Sequence, residues 1–162
     1  MALVHEDGTG KADAESYVSV TDANAYHTAN NNATWTGADA VKEAALRKAT
    51  RHLDGLVRWP GWKKTAAQAL AWPRSGAHDR EEYAIDDASV PSVVKSATAE
   101  LALRALSAEL APDLARGGAV KRQKVGPVER EFDEHAPGGT SRPWLDLLLA
   151  PILPRPGRLV RG

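Results

Sequence analysis

Cysteine is absent from the 162 residues, which excludes disulfides and thiolate metal ligation. That fits a reducing compartment without requiring one. Net charge is absent too, with 21 basic side chains against 21 acidic ones. A general polyanion binder draws its affinity from uncompensated Lys and Arg, so this balance argues against one. The sum conceals a polar distribution, because Val120–Lys124 is basic and Asp79–Asp87 acidic. No run of about 18 apolar residues occurs, so no membrane-spanning helix is expected. The opening residues, MALVHEDGTGKADAES, contain no apolar stretch, and no secretory signal is expected either.

The constellations that carry chemistry are also missing. His5, His27, His52, His78 and His135 lie far apart, with no HxxxH, HxH or HExxH pair. His52 reads as a core-edge residue of a helix. Asp79, Glu81, Glu82, Asp86 and Asp87 form a carboxylate-rich loop without the glycine and closing acid of a calcium loop. Ser75 lacks the glycine two residues upstream that a nucleophile elbow requires. Gly8-Thr9-Gly10-Lys11 has the look of a phosphate loop, but neither the upstream glycine nor a preceding strand is there. No enzymatic activity, cofactor or metal is expected. A small enzyme using the Asp79–Asp87 carboxylates is the remaining catalytic alternative.

What is present is helical periodicity. Pro91–Leu110 is the longest clean pattern. Val93, Val94, Ala97, Leu101, Leu103, Ala105, Leu106 and Leu110 recur at helical spacing, and Ser89 or Ser92 is placed to cap the first turn. Its alanines keep the helix slim, and Glu100–Arg104 is spaced for an i,i+4 ion pair. A second helix is predicted over Ala38–Leu56, with Val41, Ala45, Ala49, Leu53 and Leu56 on one side. A third spans Asp22–Asn30, capped by Thr21-Asp22, with Ala25, Tyr26 and Ala29 on its apolar side. Asparagines 30–32 end it.

Between the second helix and Pro91 lies a long segment with Trp59-Pro60-Gly61-Trp62 and Trp72-Pro73-Arg74-Ser75-Gly76, both turn chemistry with aromatic anchors. A short helix is expected at Ala66–Ala71. The tryptophans either pin the loop to the helices or stack single-stranded bases. Val120–Val125 and Val128–Phe132 have strand composition around Gly126-Pro127, consistent with a hairpin or one bent strand. Trp144–Leu153 is a short apolar run that either folds back on the core or anchors a neighbouring subunit. The reading is a mainly α chain: a small helical bundle with a long Trp/Pro-rich loop, a short β segment and an extended C-terminal arm. Residues 1–16 are expected to be loosely held, residues 17–116 form the helical body, and residues 117–162 carry the β segment and arm.

Several of these stretches form an ordered set: Tyr17-Val18-Ser19-Val20, Asp22-Ala23-Asn24-Ala25-Tyr26, Ala45 through Asp54, Gln68-Ala69-Leu70-Ala71-Trp72-Pro73-Arg74-Ser75-Gly76, Val90-Pro91 and Lys124-Val125-Gly126-Pro127-Val128. The set resembles a family of tailed-phage and prophage proteins labelled DnaT-like single-stranded DNA-binding proteins. Their genome position and helical plan are similar to those of phage head–tail adaptors. The resemblance runs from about Tyr17 to Leu153, and the Gln68–Gly76 run is its most specific part.

The resemblance implies a structural virion protein made in the host cytoplasm. Such adaptors form rings of about twelve copies beneath the portal protein. Below them sits a tail, stopper or tail-terminator protein, and genomic double-stranded DNA passes non-specifically through the channel. No membrane is involved. Candidate assembly residues are Val120, Val125, Val128, Phe132, Trp144, Leu145, Leu148, Ile152 and Leu153. Candidate loop anchors are Trp59, Trp62, Trp72, Pro73 and Arg74. The alternative is a single-stranded DNA-binding replication accessory protein that uses Trp59, Trp62 and Trp72 with Arg58, Lys63, Lys64 and Arg74.

Overall fold

The computed structural model describes residues 2–110, 122–125, 128–131 and 143–153. The elements in order are α1 (Val20–Ala29), α2 (Asp39–Leu56), β1 (Trp62–Lys63), β2 (Arg74–Ser75), α3 (Ser92–Ala105), β3 (Arg122–Val125), β4 (Val128–Glu131) and α4 (Pro143–Leu149). The chain is mainly helical. It divides into two compact units: Met1–Leu110 with Pro143–Gly162, and Ala111–Arg142.

In the larger unit α2 and α3 pack together most extensively. Ala45 and Ala49 on α2, and Ala97 and Ala102 on α3, are all buried, which allows close approach of the two backbones. Leu46, Leu53, Val94 and Leu101 fill the space beside them. The apolar side of α2 is rotated from the simplest periodic reading: Val41 and Leu56 are each 53 % exposed, and Thr50 is buried in their stead. On α1 the buried residues are Ala23 and His27, while Ala25 and Ala29 face solvent.

Helix ends differ from expectation for local reasons. Ser19, not Thr21-Asp22, caps α1, because Ser19 is the last residue in extended geometry. Its Oγ accepts from the Asp22 N–H at 3.0 Å and donates to the Asp22 carboxylate at 2.8 Å. Pro91 is itself the cap of α3, and neither Ser89 nor Ser92 supplies a side-chain cap. That helix ends at Ala105, five residues short of Leu110; the Ser107 N–H bonds Arg104 O, an i to i−3 turn that tightens the end. No helix forms at Ala66–Ala71. The Ala69 N–H goes to Lys11 O and the Ala71 N–H to Tyr17 and Asp54, so those amides are directed to tertiary partners.

The N-terminal segment, expected to be loosely held, is part of the body. His5 and Ser16 form a parallel bridge, and Glu6 N–H···O=C Ser16 and Glu15 N–H···O=C Val4 are both 2.8 Å. Glu15 pairs with Arg47 of α2 at 2.9 Å, and Ala14, Tyr17 and Val18 are core residues. In the smaller unit β3 and β4 form an antiparallel hairpin, with Arg122 opposite Glu131 and Val125 opposite Val128. The Gly126-Pro127 dipeptide therefore separates two strands and does not bend one.

Candidate functional site: the tryptophan–proline loop and the C-terminal helix

The loop after α2 is closed by a polar cluster beneath it. The Tyr17 hydroxyl donates to Asp54 Oδ1 at 2.6 Å and accepts from the N–H groups of Ala71 (3.0 Å) and Trp72 (3.2 Å). Asp54 Oδ2 also accepts from Ala71 N–H at 3.0 Å, and its Oδ1 accepts from Trp59 Nε1 at 3.3 Å. Burial raises the Asp54 carboxyl above its ordinary range, opposed by the hydrogen bonds from Tyr17, Ala71 and Trp59. Burial also pushes the Tyr17 phenol far up, helped by the Asp54 charge. Both groups are tied into the hydrogen bonds that hold the loop to the body.

Each notable residue of the Gln68–Gly76 run has an architectural task. Gln68 is buried; its Nε2 donates to Leu70 O (2.9 Å) and Pro73 O (3.0 Å), and its Oε1 accepts from the Thr65 N–H. Trp72 is wholly buried, edge-on to Trp59 with ring centroids 5.9 Å apart, and the Trp72–Pro73 bond is cis. Arg74 donates to three backbone carbonyls: Pro60 at 2.5 Å, Gly61 at 2.6 Å and Ala71 at 3.2 Å. Burial lowers the affinity of its guanidinium for the proton, with Tyr17 and Asp54 opposing. Ser75 pairs with Trp62 in the β1–β2 ladder and donates to Asp87 at 2.9 Å. Gly61 has φ +66°, and a Cβ there would lie 2.4 Å from Ser75 O. Gly76 sits directly under the Trp62 ring.

Of the expected loop anchors, Trp59, Trp72, Pro73 and Arg74 thus hold the loop shut. Trp62 is different: its indole is 65 % exposed. The neighbouring Lys63 ammonium donates to Gln68 O at 3.2 Å, and Lys64 faces Asp87 at 3.7 Å. Lys48 and Arg51 on α2 and Arg58 beyond it are exposed. In the acidic loop, Asp79 Oδ1 accepts from the N–H groups of Glu81 and Tyr83, both at 2.9 Å, and Asp86 Oδ1 from Ala88. These carboxylates shape turns. Among the described residues no three His, Asp or Glu side chains converge as metal ligands, and no helix is long and apolar enough to cross a membrane.

Most of the apolar side chains of the C-terminal run pack within the chain itself. Leu145 and Ile152, expected as assembly residues, are buried in the chain's own core together with Leu149, because α4 packs on α3. Trp144, Leu148 and Leu153 are partly buried against the same core. Leu147 is the residue of α4 that points outward, at 77 % exposure. The expected Glu100–Arg104 pair gives way to two other contacts. The Arg104 guanidinium lies over the Trp144 ring at 4.1 Å, while Glu100 accepts from the Tyr26 hydroxyl at 3.1 Å and faces Asn32 at 3.5 Å. The Arg80 N–H closes onto Pro151 O at 2.8 Å. Val125 and Val128 are register partners in the hairpin, and Val120 and Phe132 lie outside the described residues.

A groove of about 510 Å³ runs between the Thr34–Thr36 loop, Val41 of α2, and Glu100, Leu103 and Leu106 along α3. Beside it lies a second aromatic cluster that periodicity alone does not reveal. His27 stacks against Trp35 at 4.5 Å, and Trp35 Nε1 donates to Asn24 Oδ1 at 2.7 Å, which also accepts from Lys42.

No curated protein and no solved structure matches the chain. A family model does match, over residues 1–162, and it takes in the tryptophan–proline loop, the helices and the hairpin together. The chain belongs to the family described as "Putative DnaT-like ssDNA binding protein".

Proposed function

We propose that this chain is a structural virion protein, a head–tail adaptor that assembles as a ring beneath the portal and continues the DNA channel toward the tail. The observation that carries this reading is the β3–β4 hairpin. It is a two-stranded sheet in its own compact unit, with no third strand among the described residues. A two-stranded sheet is marginal by itself, and its outer edges offer unpaired N–H and C=O groups to a strand from a neighbour. Strand addition between copies suits a ring, in which two different surfaces of one chain complement each other and close by rotation. Leu147 adds an apolar contact point outside the core. Net charge of zero and inward-directed Arg74 fit a scaffold better than a dedicated polyanion binder.

Electron microscopy of particles carrying a tagged copy of this chain tests the reading. Density for a ring at the portal–tail junction is expected. Its absence from particles that contain portal and tail would overturn the proposal.

A second reading is favoured by one observation and by the family description. Trp62 is exposed and is followed by Lys63 and Lys64, a pairing of aromatic and basic side chains on which a base of single-stranded DNA can stack. Binding of this kind would appear as salt-sensitive oligonucleotide affinity that Trp62→Ala reduces about tenfold or more. Oligonucleotide affinity unaffected by that substitution would remove the loop from consideration.

A further inference from the structure

The Gly8-Thr9-Gly10-Lys11 stretch resembles a phosphate loop in composition, and the structure explains what those amides hold. Glu6 is 1 % exposed, yet no basic side chain pairs with it among the described residues. Its Oε1 accepts from the N–H groups of Gly8 and Gly10, both at 2.9 Å, and its Oε2 accepts from the Lys11 N–H at 2.8 Å. Gly8 (φ +106°) and Gly10 (φ +82°) have the left-handed backbone that lets these amides converge on one point. The Lys11 ammonium is directed elsewhere, to Asp7 at 2.9 Å and His5 O at 3.1 Å. The buried carboxylate is therefore balanced by oriented backbone dipoles, as a bound phosphate is in a nucleotide-binding loop.

We propose that Glu6–Lys11 is an oxyanion site whose resident ligand is the chain's own Glu6 carboxylate, and that it takes a free carboxylate from solution when that side chain is shortened. Filling the site shapes the loop that docks the N-terminal segment onto the Trp–Pro region. Gly8 then lies so close to Ala88 that a Cβ would be 2.0 Å from the Ala88 carbonyl oxygen. Lys11 O meets the Ala69 N–H at 2.9 Å. Without an anion, three N–H groups aimed at one small buried volume lose their acceptor, and the loop cannot keep this form.

Thermal unfolding of the full chain and its Glu6→Ala variant in chloride, acetate and phosphate at matched ionic strength tests the site. In chloride the variant is expected to melt about 5–10 °C below the parent, the shift for losing a few buried hydrogen bonds in a chain of this size. Acetate should recover part of that loss in the variant while leaving the parent unchanged. Recovery by phosphate as well would extend the ligand class to tetrahedral anions; recovery by neither, or equal stabilisation of both proteins, would overturn the proposal. Glu6→Gln keeps the volume and fills the site with an amide, so it should be destabilised without responding to acetate. Should the alanine variant not fold, amide hydrogen exchange of Glu6→Gln decides: faster exchange at Gly8, Gly10 and Lys11 supports the site, and unchanged exchange refutes it.

Discussion

Tyr17 places one phenolic oxygen between the Asp54 carboxylate and the N–H groups of Ala71 and Trp72. Removing that oxygen leaves a half-buried carboxylate short of a donor and the Trp72 N–H short of its acceptor, a cost of roughly 1–3 kcal/mol. Tyr17→Phe should lower the melting temperature by about 3–10 °C and increase Trp59 and Trp72 emission sensitivity to quenchers. An unchanged melting temperature would mean that the cluster is decorative. His27 makes a second residue-scale prediction. Its Nε2–H donates to Ala99 O at 3.1 Å, and its Nδ1 lies 3.0 Å from the Asn32 side-chain amide. Burial lowers its pKa, against weaker opposing effects from Ala99 O and Glu100. A depressed folded pKa contributes stability above the unfolded value of about 6.5 that is lost as pH falls through the folded value. Chemical denaturation should therefore show the parent losing stability between about pH 7 and pH 5 by more than His27→Gln does. Parallel pH profiles for the two would show that the ring does not titrate in that window.

The helices were legible in the sequence because burial follows period, and α3 is the clearest instance. Val94, Ala97, Leu101 and Ala102 recur at helical spacing and are all buried. Legibility fails where a residue's partner lies far along the chain. The stretch Ala66–Ala71 has good helix formers, yet its amides bond to Lys11, Tyr17 and Asp54, which local propensity does not see. The Gln68–Gly76 run could be singled out by its tryptophan, proline and glycine, but its role in holding the loop shut depends on carbonyls of Pro60 and Gly61 meeting Arg74. Helix α4 shows the same limit: seven residues cannot hold a helix alone, and its apolar content fits a core or a neighbour equally well. Packing against α3 decides for the core. Truncating Leu145 to Ala should cost about 2–5 kcal/mol, since the side chain is 1 % exposed. Trp144→Ala, which removes the contact under Arg104, should cost less, about 0.5–2 kcal/mol from the cation–π contact and lost packing. Urea unfolding of both variants checks the order; a larger loss for Trp144→Ala would place the main hold on α4 at its first turn.

At the scale of the whole molecule, the two units make different demands on a variant. The body has its own core, whereas β3 and β4 pair only with each other among the described residues. Successive backbone N–H groups of a strand point to opposite sides, so of Gln123 and Lys124 one N–H faces β4 and the other faces the open edge. Proline removes the N–H at either position. Gln123→Pro and Lys124→Pro should therefore divide into one variant that breaks the hairpin and one that blocks only strand addition from a neighbour. Both should leave the unfolding free energy of the body within about 0.5 kcal/mol of the parent, because they lie outside its core. If the chain is the ring-forming adaptor proposed above, both should lose assembly when mixed with portal complexes, as seen by electron microscopy and light scattering. Leu147→Glu provides the comparison on the other surface. It alters an exposed side chain, so the fold should tolerate it while any contact made through α4 is lost. If both proline variants still assemble and Leu147→Glu does not, the joining surface is the helix and not the sheet edge. If all three assemble like the parent, neither surface joins copies, and exposed Trp62 becomes the feature left to account for the family's DNA-binding description.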